Sequence, residues 1–370
     1  MTTVPGRERP AATAGGASLP AGECGAEDQV SRSGPSTERA VGDPCGDEPR
    51  PVHLALVGPT ASGKTSLAVS LARRRGDLEL VSADAVAVYR GLDVGTAKPT
   101  HAERDGVRWH LVDLVGPDEE FSVAAFQADA RSAIAAIAAR GHRALLVGGT
   151  GLYHRAVVDD LDLPGRFPET ARALEAEAAT KGGPARLHQR LAHLDPVAAG
   201  RIEPGNARRT VRALEVVLGG GRPFSAFGPG LEHYGPSRFL QVGLRLDRAD
   251  LARRIEARLD AQLAAGFLEE VGAWRAGGPV SRTAARALGY AELSAVLEGR
   301  STLAEARQVL VARTRAFARR QEVWFRRDPR VSWLDATTPD LLGALEALLD
   351  ARAFPAAVAS CGADGRDVGG

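Results

Sequence analysis

The chain has 370 residues, 44% of them hydrophobic and 25% charged, enough for one large domain or two ordinary ones with a buried core. Its three cysteines, Cys24, Cys45 and Cys361, lie near the two ends, which excludes a disulfide framework or a cysteine-built metal site in the central sequence. The net charge of +1 hides an uneven distribution: 1–50 carries 5 basic and 8 acidic side chains and 339–370 carries 2 and 5, leaving 51–338 at +7. That surplus suits a local polyanion-binding face and is too small for a nonspecific nucleic-acid coat.

Residues 1–50 are rich in Gly, Pro, Ser, Ala and charge without apolar periodicity, so a disordered extension is expected there. The first residues hold no apolar h-region and no apolar run is long enough to span a bilayer; the expectation is a cytoplasmic protein with no membrane segment. A strand is predicted over 52–57, then a glycine-rich loop, a helix over 64–74, a strand over 79–82, and another over 144–147 ahead of Gly148 and Gly149. Short apolar strands alternating with helices predict a parallel α/β sheet. Ligands of such sheets bind outside the carboxyl ends of the strands, where three polar clusters fall: 58–65, Asp84 and 148–150. From 165 to 230 strand signals vanish in favour of Ala, Glu, Arg and Leu with Gly-Pro punctuation, which predicts a helical insertion. A strand over 239–246, a helix over 248–265 and a long arginine-rich helix over about 302–326 follow, with a disordered tail expected over 353–370. The core is thus expected to be built from 51–164 and 231–338.

Gly58, Pro59, Thr60, Ala61, Ser62, Gly63, Lys64 and Thr65 fit G-x-x-x-x-G-K-[ST] between a strand and a helix, the context that gives this motif meaning. Backbone N–H groups around Gly63 are expected to wrap phosphate oxygens at the helix N-terminus, with Lys64 adding a point charge and the Thr65 hydroxyl available to Mg²⁺. A P-loop establishes polyphosphate binding and leaves the reaction open. Asp84, just past the second strand, is placed to face the P-loop as a general base; its position suits a cap or an indirect Mg²⁺ anchor equally. Arg254 and Arg258, four apart on one helix face, are placed either for phosphates or for pairing with Glu256 and Asp260. Arg307, Arg313, Arg315, Arg319, Arg320, Arg326 and Arg327, interleaved with Phe317, Trp324 and Phe325, suit RNA phosphates plus packing, or a solvated face.

Taken together, 58–65, 81–84 leading to VYRGLDVGTAKP at 88–99, VGGTGLY at 147–153, DPVAA at 195–199, RTVRALE at 209–215, GRPFS at 221–225, ALGY at 287–290 and RRQEVWFRR at 319–327 resemble the tRNA dimethylallyltransferase (tRNA isopentenyltransferase) family over about 52–336. The resemblance implies a P-loop NTPase-like parallel sheet flanked by helices, with an inserted helical domain. It implies a prenyl transferase whose P-loop holds dimethylallyl diphosphate and whose acceptor is N6 of the adenosine next to the anticodon, in tRNAs reading codons that begin with U. By the same analogy Asp84 takes the N6 proton, while Thr60, Lys64, Arg258 and Thr65 with Mg²⁺ stabilise the departing diphosphate. The resemblance places the anticodon stem-loop against Asp84, Ala85, Val86, Ala87, Thr150, Arg208, Arg209, Arg212, Gly289 and Tyr290. It also implies a monomer whose insertion swings over the substrate, and a target base flipped out of a single-stranded loop at low cost.

The chain departs from the family after Asp84, where Ser, Met and Gln are usual and Ala85, Val86 and Ala87 stand instead. Trp109 stands where His is usual, and Ala291-Glu292 where Lys-Glu or Arg-Gln is common. Rival readings are a prenyltransferase with a free adenylate acceptor, a small-molecule P-loop kinase and a non-enzymatic RNA-binding descendant. The arginine-rich helix and the insertion weigh against a mononucleotide acceptor, and intact Asp84 and Lys64 weigh against loss of catalysis.

Overall fold

The computed structural model describes residues 52–352 and 354; the expected extension at 1–50 and the end of the expected tail lie outside them. Strand β1 (His53–Val57) leads into α1 (Lys64–Arg75), β2 (Leu78–Ala83), α2 (His101–Arg104), β3 (Trp109–His110), α3 (Val123–Ala139), β4 (Arg143–Gly148) and α4 (Gly151–Val158). Four helices follow, α5 (Pro168–Ala178), α6 (Gly183–Leu194), α7 (Pro196–Gly200) and α8 (Ala207–Gly220). The chain returns through β5 (Phe239–Arg245), α9 (Arg248–Ala264), α10 (Phe267–Ala276), α11 (Tyr290–Leu297), α12 (Leu303–Arg326), β6 (Val331–Asp335) and α13 (Leu341–Ala351). No helix among these is long and apolar enough to cross a membrane.

The strands form one parallel sheet in the order β3-β2-β4-β1-β5-β6. Alternate residues supply its two faces. Leu54, Leu56, Leu80, Leu145 and Val242 pack against Leu67 and Leu71 of α1, while Ala55, Val81, Ala144 and Leu146 pack against Phe126, Ala130 and Ile137 of α3. With both faces covered, the strands read as continuous apolar runs, which is why the four central ones are visible in the sequence. The edge strands β3 and β6 are additions. β3 has only two residues, and β6 (VSWLD) runs from a buried Val331 through three half-buried residues to an exposed Asp335, so neither carries a long apolar run. In the sheet β1 lies between β4 and β5; the connection after β1 runs to β2 on one side and the one after β4 runs to β5 on the other, and ligands of such open sheets bind outside the carboxyl ends at the point of reversal.

Helices α5 to α8 share an apolar cluster of their own, built on Leu174, Leu187, Leu191, Ile202, Val211 and Leu214. It is tied to the incoming chain by the buried Glu215, whose Oε1 accepts the Phe167 N–H at 2.8 Å. Phe354, which falls in the expected tail, is 4% exposed and lies under the guanidinium groups of Arg75 and Arg143, so ordered packing extends past the end of α13.

Among the described residues, Glu79 is the one acidic residue in the middle of a buried strand. Its carboxylate receives Arg140 at 2.7 and 2.9 Å and meets His110 at 2.7 Å and His142 at 2.9 Å. Burial by itself raises the Glu79 pKa; the hydrogen bonds from Arg140, His110 and His142 outweigh it and pull the carboxyl from 4.5 down to about 2. A depressed carboxyl stabilises the fold fully above its unfolded value and loses that contribution as pH falls through its folded value. Glu79→Gln is therefore expected to destabilise the protein by about 2 kcal/mol at neutral pH. In urea titrations of variant and wild type the difference should shrink between 4.5 and about 2. A difference that stays constant through that window would contradict the charge-based account.

Candidate active site

At the end of β1 the chain turns at Gly58, whose φ of 141° and whose approach to β5 both demand glycine: a Cβ there would lie 2.6 Å from the Leu244 carbonyl oxygen. The loop turns again through Ala61, at φ 62°, and Gly63, at φ 89°, before α1 begins. The first turn of α1 holds no acidic residue, so its N–H groups and dipole present an unopposed positive end to an anion. The Lys64 ammonium folds back over the loop, donating to the Pro59 carbonyl at 2.6 Å and lying 3.4 Å from the Ser62 hydroxyl. Thr65 stands exposed on the first turn.

Arg258 approaches from α9 and donates to the Thr96 carbonyl at 3.4 Å. Arg254, one turn earlier, lies over Gly63, 3.8 Å from where a Cβ would stand. The alternative partners of these arginines are taken: Asp260 pairs with Arg307 and Glu256 with Arg315, both from α12. Burial lowers the Arg258 pKa, with Asp84 and Glu103 opposing. The Lys64 amine is brought from 10.5 down to about 7, by burial first and the Arg258 charge second, with Asp84 opposing. Lys64, Arg258 and Asp84 thus feel one another, and the first two of the expected clusters meet in one crevice.

Asp84 does not cap a helix. Its Oδ1 accepts the N–H groups of Val86 at 2.9 Å and Ala87 at 3.3 Å, a tight side-chain turn; Oδ2 takes no hydrogen bond among the described residues. The third cluster joins through Thr150, whose hydroxyl accepts the Ala85 N–H at 3.3 Å. Gly148 is needed because a Cβ would overlap the Ala83 carbonyl.

Behind the crevice, residues 92–98 are held by groups whose roles the sequence did not reveal. The Glu270 carboxylate accepts the N–H groups of Asp93, Val94 and Gly95 at 2.7, 2.7 and 2.9 Å and the Tyr290 hydroxyl at 2.6 Å. Gln262 donates to the Val94 and Gly95 carbonyls at 2.6 and 3.0 Å. The buried Lys98 ammonium holds the Tyr89 carbonyl at 2.8 Å, Asp113 at 2.6 Å, and Asp93. This frame presents the Thr96 carbonyl to Arg258. Gln321 was also missed; it bridges Thr60 and Gly149. A signal was available: with Ala318 and Phe325 it occupies the buried face of an otherwise arginine-rich helix, and a lone amide on an apolar face implies a specific partner.

Several expected RNA contacts change character. Tyr290 is fully buried against Phe267 and Trp274 and has no surface to offer RNA; together with Gly289, at φ 101° against the Phe267 ring, it supports Glu270. Ala87 is buried as well. Arg212 is spent on the Pro164 and Gly165 carbonyls and on Glu215. Arg208 and Arg209 stay exposed, as do Arg319, Arg320 and Arg327, whereas Arg307, Arg313, Arg315 and Arg326 are paired with Asp260, Glu292, Glu256 and Glu322.

For a metal, the described residues contain no group of three or more His, Cys, Asp or Glu side chains in ligating range. The Thr65 hydroxyl on the first turn of α1 is an oxygen donor that fits Mg²⁺, which commonly keeps its waters and borrows phosphate oxygens rather than filling an all-protein cage.

The IPP transferase family model matches residues 87–328. A tRNA dimethylallyltransferase of Kineococcus radiotolerans is 52% identical over 295 residues, covering 78% of this chain and 92% of that protein. Among solved structures, the full-length tRNA isopentenylpyrophosphate transferase of Bacillus halodurans aligns with a TM-score of 0.60 at 37% identity, over 81% of this chain and 95% of that one. A eukaryotic dimethylallyltransferase acting on tRNA aligns with a TM-score of 0.67 at 22% identity, over 83% and 81%, a likeness of fold. These neighbours share the P-loop NTPase-like architecture.

Because the Lys64 amine has a pKa of about 7 in this loop, an arriving diphosphate recharges it. Calorimetry of inorganic diphosphate binding with Mg²⁺, in buffers of different ionisation enthalpy, is expected to show uptake approaching one proton at about pH 8.5 and about half of that at about pH 7. No uptake at either pH would contradict the neutral Lys64.

Proposed function

The chain belongs to the tRNA dimethylallyltransferase family, and from that premise we propose that it moves the dimethylallyl group of dimethylallyl diphosphate onto N6 of the adenosine next to the anticodon, in tRNAs reading codons that begin with U, releasing diphosphate. The observation that carries this reading is the closing of the P-loop, through Gln321, on the 148–150 loop, whose Thr150 hydroxyl meets the turn that holds Asp84 with one oxygen fixed and the other open.

The adenine N6 lone pair forms the new bond to C1 of the allyl group, the C1–O bond breaks, and its electron pair leaves with the diphosphate. The P-loop N–H groups, Lys64, Arg258 and the Thr60 hydroxyl hold that leaving group. Mg²⁺, with Thr65 as a protein ligand, supplies further neutralisation of the diphosphate when bound. Asp84 accepts the N6 proton through Oδ2, because Oδ1 is tied to the backbone of Val86 and Ala87.

Arg208 and Arg209 on α8 and Arg319, Arg320 and Arg327 on α12 are exposed cations suited to the backbone of the anticodon stem-loop. We read the enzyme as acting as a monomer, and the acceptor supports a cytoplasmic location. Ala85, Val86 and Ala87 contribute a backbone turn, and Thr150 presents a hydroxyl at its edge. Helices α5 to α8, with their separate apolar cluster, are read as the insertion that closes over the RNA.

The test is transfer of labelled dimethylallyl from its diphosphate, with Mg²⁺, into an anticodon stem-loop bearing adjacent adenosines, with AMP as a competing acceptor. Label is expected in the RNA and absent from AMP. Asp84→Asn keeps the shape of the turn and removes the base, so its turnover should fall by about a hundredfold or more with binding of dimethylallyl diphosphate retained. Label confined to AMP would overturn the choice of acceptor, and unchanged turnover in Asp84→Asn would overturn the role of the base.

A further inference from the structure

Gln321 lies on the inner face of α12, 6% exposed, and reaches two loops far from it in sequence. Its Oε1 accepts the backbone N–H of Thr60 at 2.8 Å, and its Nε2 donates to the Gly149 carbonyl at 3.1 Å. The orientation of the amide is fixed by chemistry, since a peptide N–H only donates and a carbonyl only accepts. Space is fixed too: a Cβ at Gly149 would overlap the Gln321 side-chain nitrogen and lie 3.4 Å from the Gly58 carbonyl oxygen. One turn on, Trp324 packs on Gly151 closely enough that a Cβ there would strike its indole ring. Helix α12 therefore grips the loop 149–151 at two points and the P-loop at one.

These two loops serve opposite partners in the reaction proposed above, on which this inference rests. The P-loop holds the diphosphate, and the 149–151 loop carries Thr150, whose hydroxyl receives the Ala85 N–H beside Asp84. We propose that Gln321 is a positioning residue that sets the distance and orientation between the diphosphate-holding P-loop and the Thr150–Asp84 side where the acceptor amine attacks. It touches neither substrate. Its effect passes through the Thr60 amide on one side and the Gly149 carbonyl on the other, both of which lose their partner if the amide is removed. Reacting atoms must be aligned within about half an ångström for efficient transfer, a tolerance that two loops joined only by their own strands do not guarantee. The outer face of the same turns carries exposed Arg319 and Arg320, so RNA held there bears on the helix that spaces the two loops.

Three proteins test this: wild type, Gln321→Met, which keeps volume and loses both hydrogen bonds, and Gln321→Glu. When ionised, Gln321→Glu accepts from Thr60 but opposes the Gly149 carbonyl; when protonated, it has a donor and an acceptor and reproduces the amide. Burial beside a carbonyl raises the pKa of such a carboxyl. Gln321→Met is expected to bind Mg²⁺-diphosphate at least about fivefold more weakly and to lose about tenfold or more in kcat, with KM for the stem-loop within about threefold of wild type. The kcat of Gln321→Glu relative to wild type should rise as pH falls from about 8.5 to about 6, while the Gln321→Met ratio stays flat. A purely structural residue would lower the melting temperature without this pH dependence.

A Gln321→Met enzyme with wild-type diphosphate affinity and kcat, or a flat Gln321→Glu ratio, would overturn the proposal. If the wild type transfers nothing to RNA, the proposed reaction fails, and the diphosphate affinities still decide whether Gln321 holds the P-loop.

Discussion

The site depends on backbone meeting backbone at the carboxyl ends of the parallel strands. Gly58 lies against the Leu244 carbonyl, Gly148 against the Ala83 carbonyl, and Gly149 against the Gly58 carbonyl and the Gln321 amide. A side chain at any of these places would push apart the loops that follow β1, β2 and β4. Three segments from different parts of the chain approach this closely because glycines leave room for direct backbone contact and for the Gln321 amide. Their N–H groups and carbonyls then need partners, and Gln321, Thr150 and Asp84 provide several of them.

Charge that is wholly or partly buried in this protein includes two kinds. Glu79, Lys98 and Glu270 are surrounded by opposite charges or hydrogen-bond partners, which offsets the cost of removing them from water. They hold the sheet edge and the segment 92–98. Lys64 and Arg258 are different: burial drags both of their pKa values down, and the nearby carboxylate of Asp84 only partly restores them. An amine ready to take up a proton and a guanidinium, held near one anion, leave a site whose best remaining partner is polyanionic. The structural charges are arranged so that this imbalance persists, since Glu270 fixes the loop whose Thr96 carbonyl receives Arg258 and acid groups on α9 are engaged by α12.

The apolar segment 85–87 reads differently once the turn is visible. Ser and Gln, usual in the family on either side of a Met, are replaced here by Ala85 and Ala87. In the structure the hydrogen bonds that orient Asp84 come from the backbone N–H groups of Val86 and Ala87, which every residue but proline supplies. Ala87 faces the core and Ala85 and Val86 pack against it. Asp84 is therefore positioned independently of these side chains, and in the proposed reaction contacts to the acceptor would fall to Thr150 and to the exposed arginines of α8 and α12.

The sequence by itself determined the parallel α/β core and the P-loop. Both are encoded locally: central strands buried on two faces need unbroken apolar runs, and a phosphate loop needs glycines and lysine at fixed spacing between a strand and a helix. It also brought Asp84, Thr150 and Arg258 into the list of candidates, through position and resemblance. Only the tertiary structure decided which of the many arginines stay exposed and which are consumed in pairs, that Tyr290 and Ala87 are buried, and that Gln321, Glu270 and Lys98 hold the loops around the candidate site. Those assignments rest on contacts between residues up to 261 positions apart. A long polar side chain has the same local propensity whether it meets solvent, phosphate or a distant peptide group; only the closing of the chain around it makes the difference.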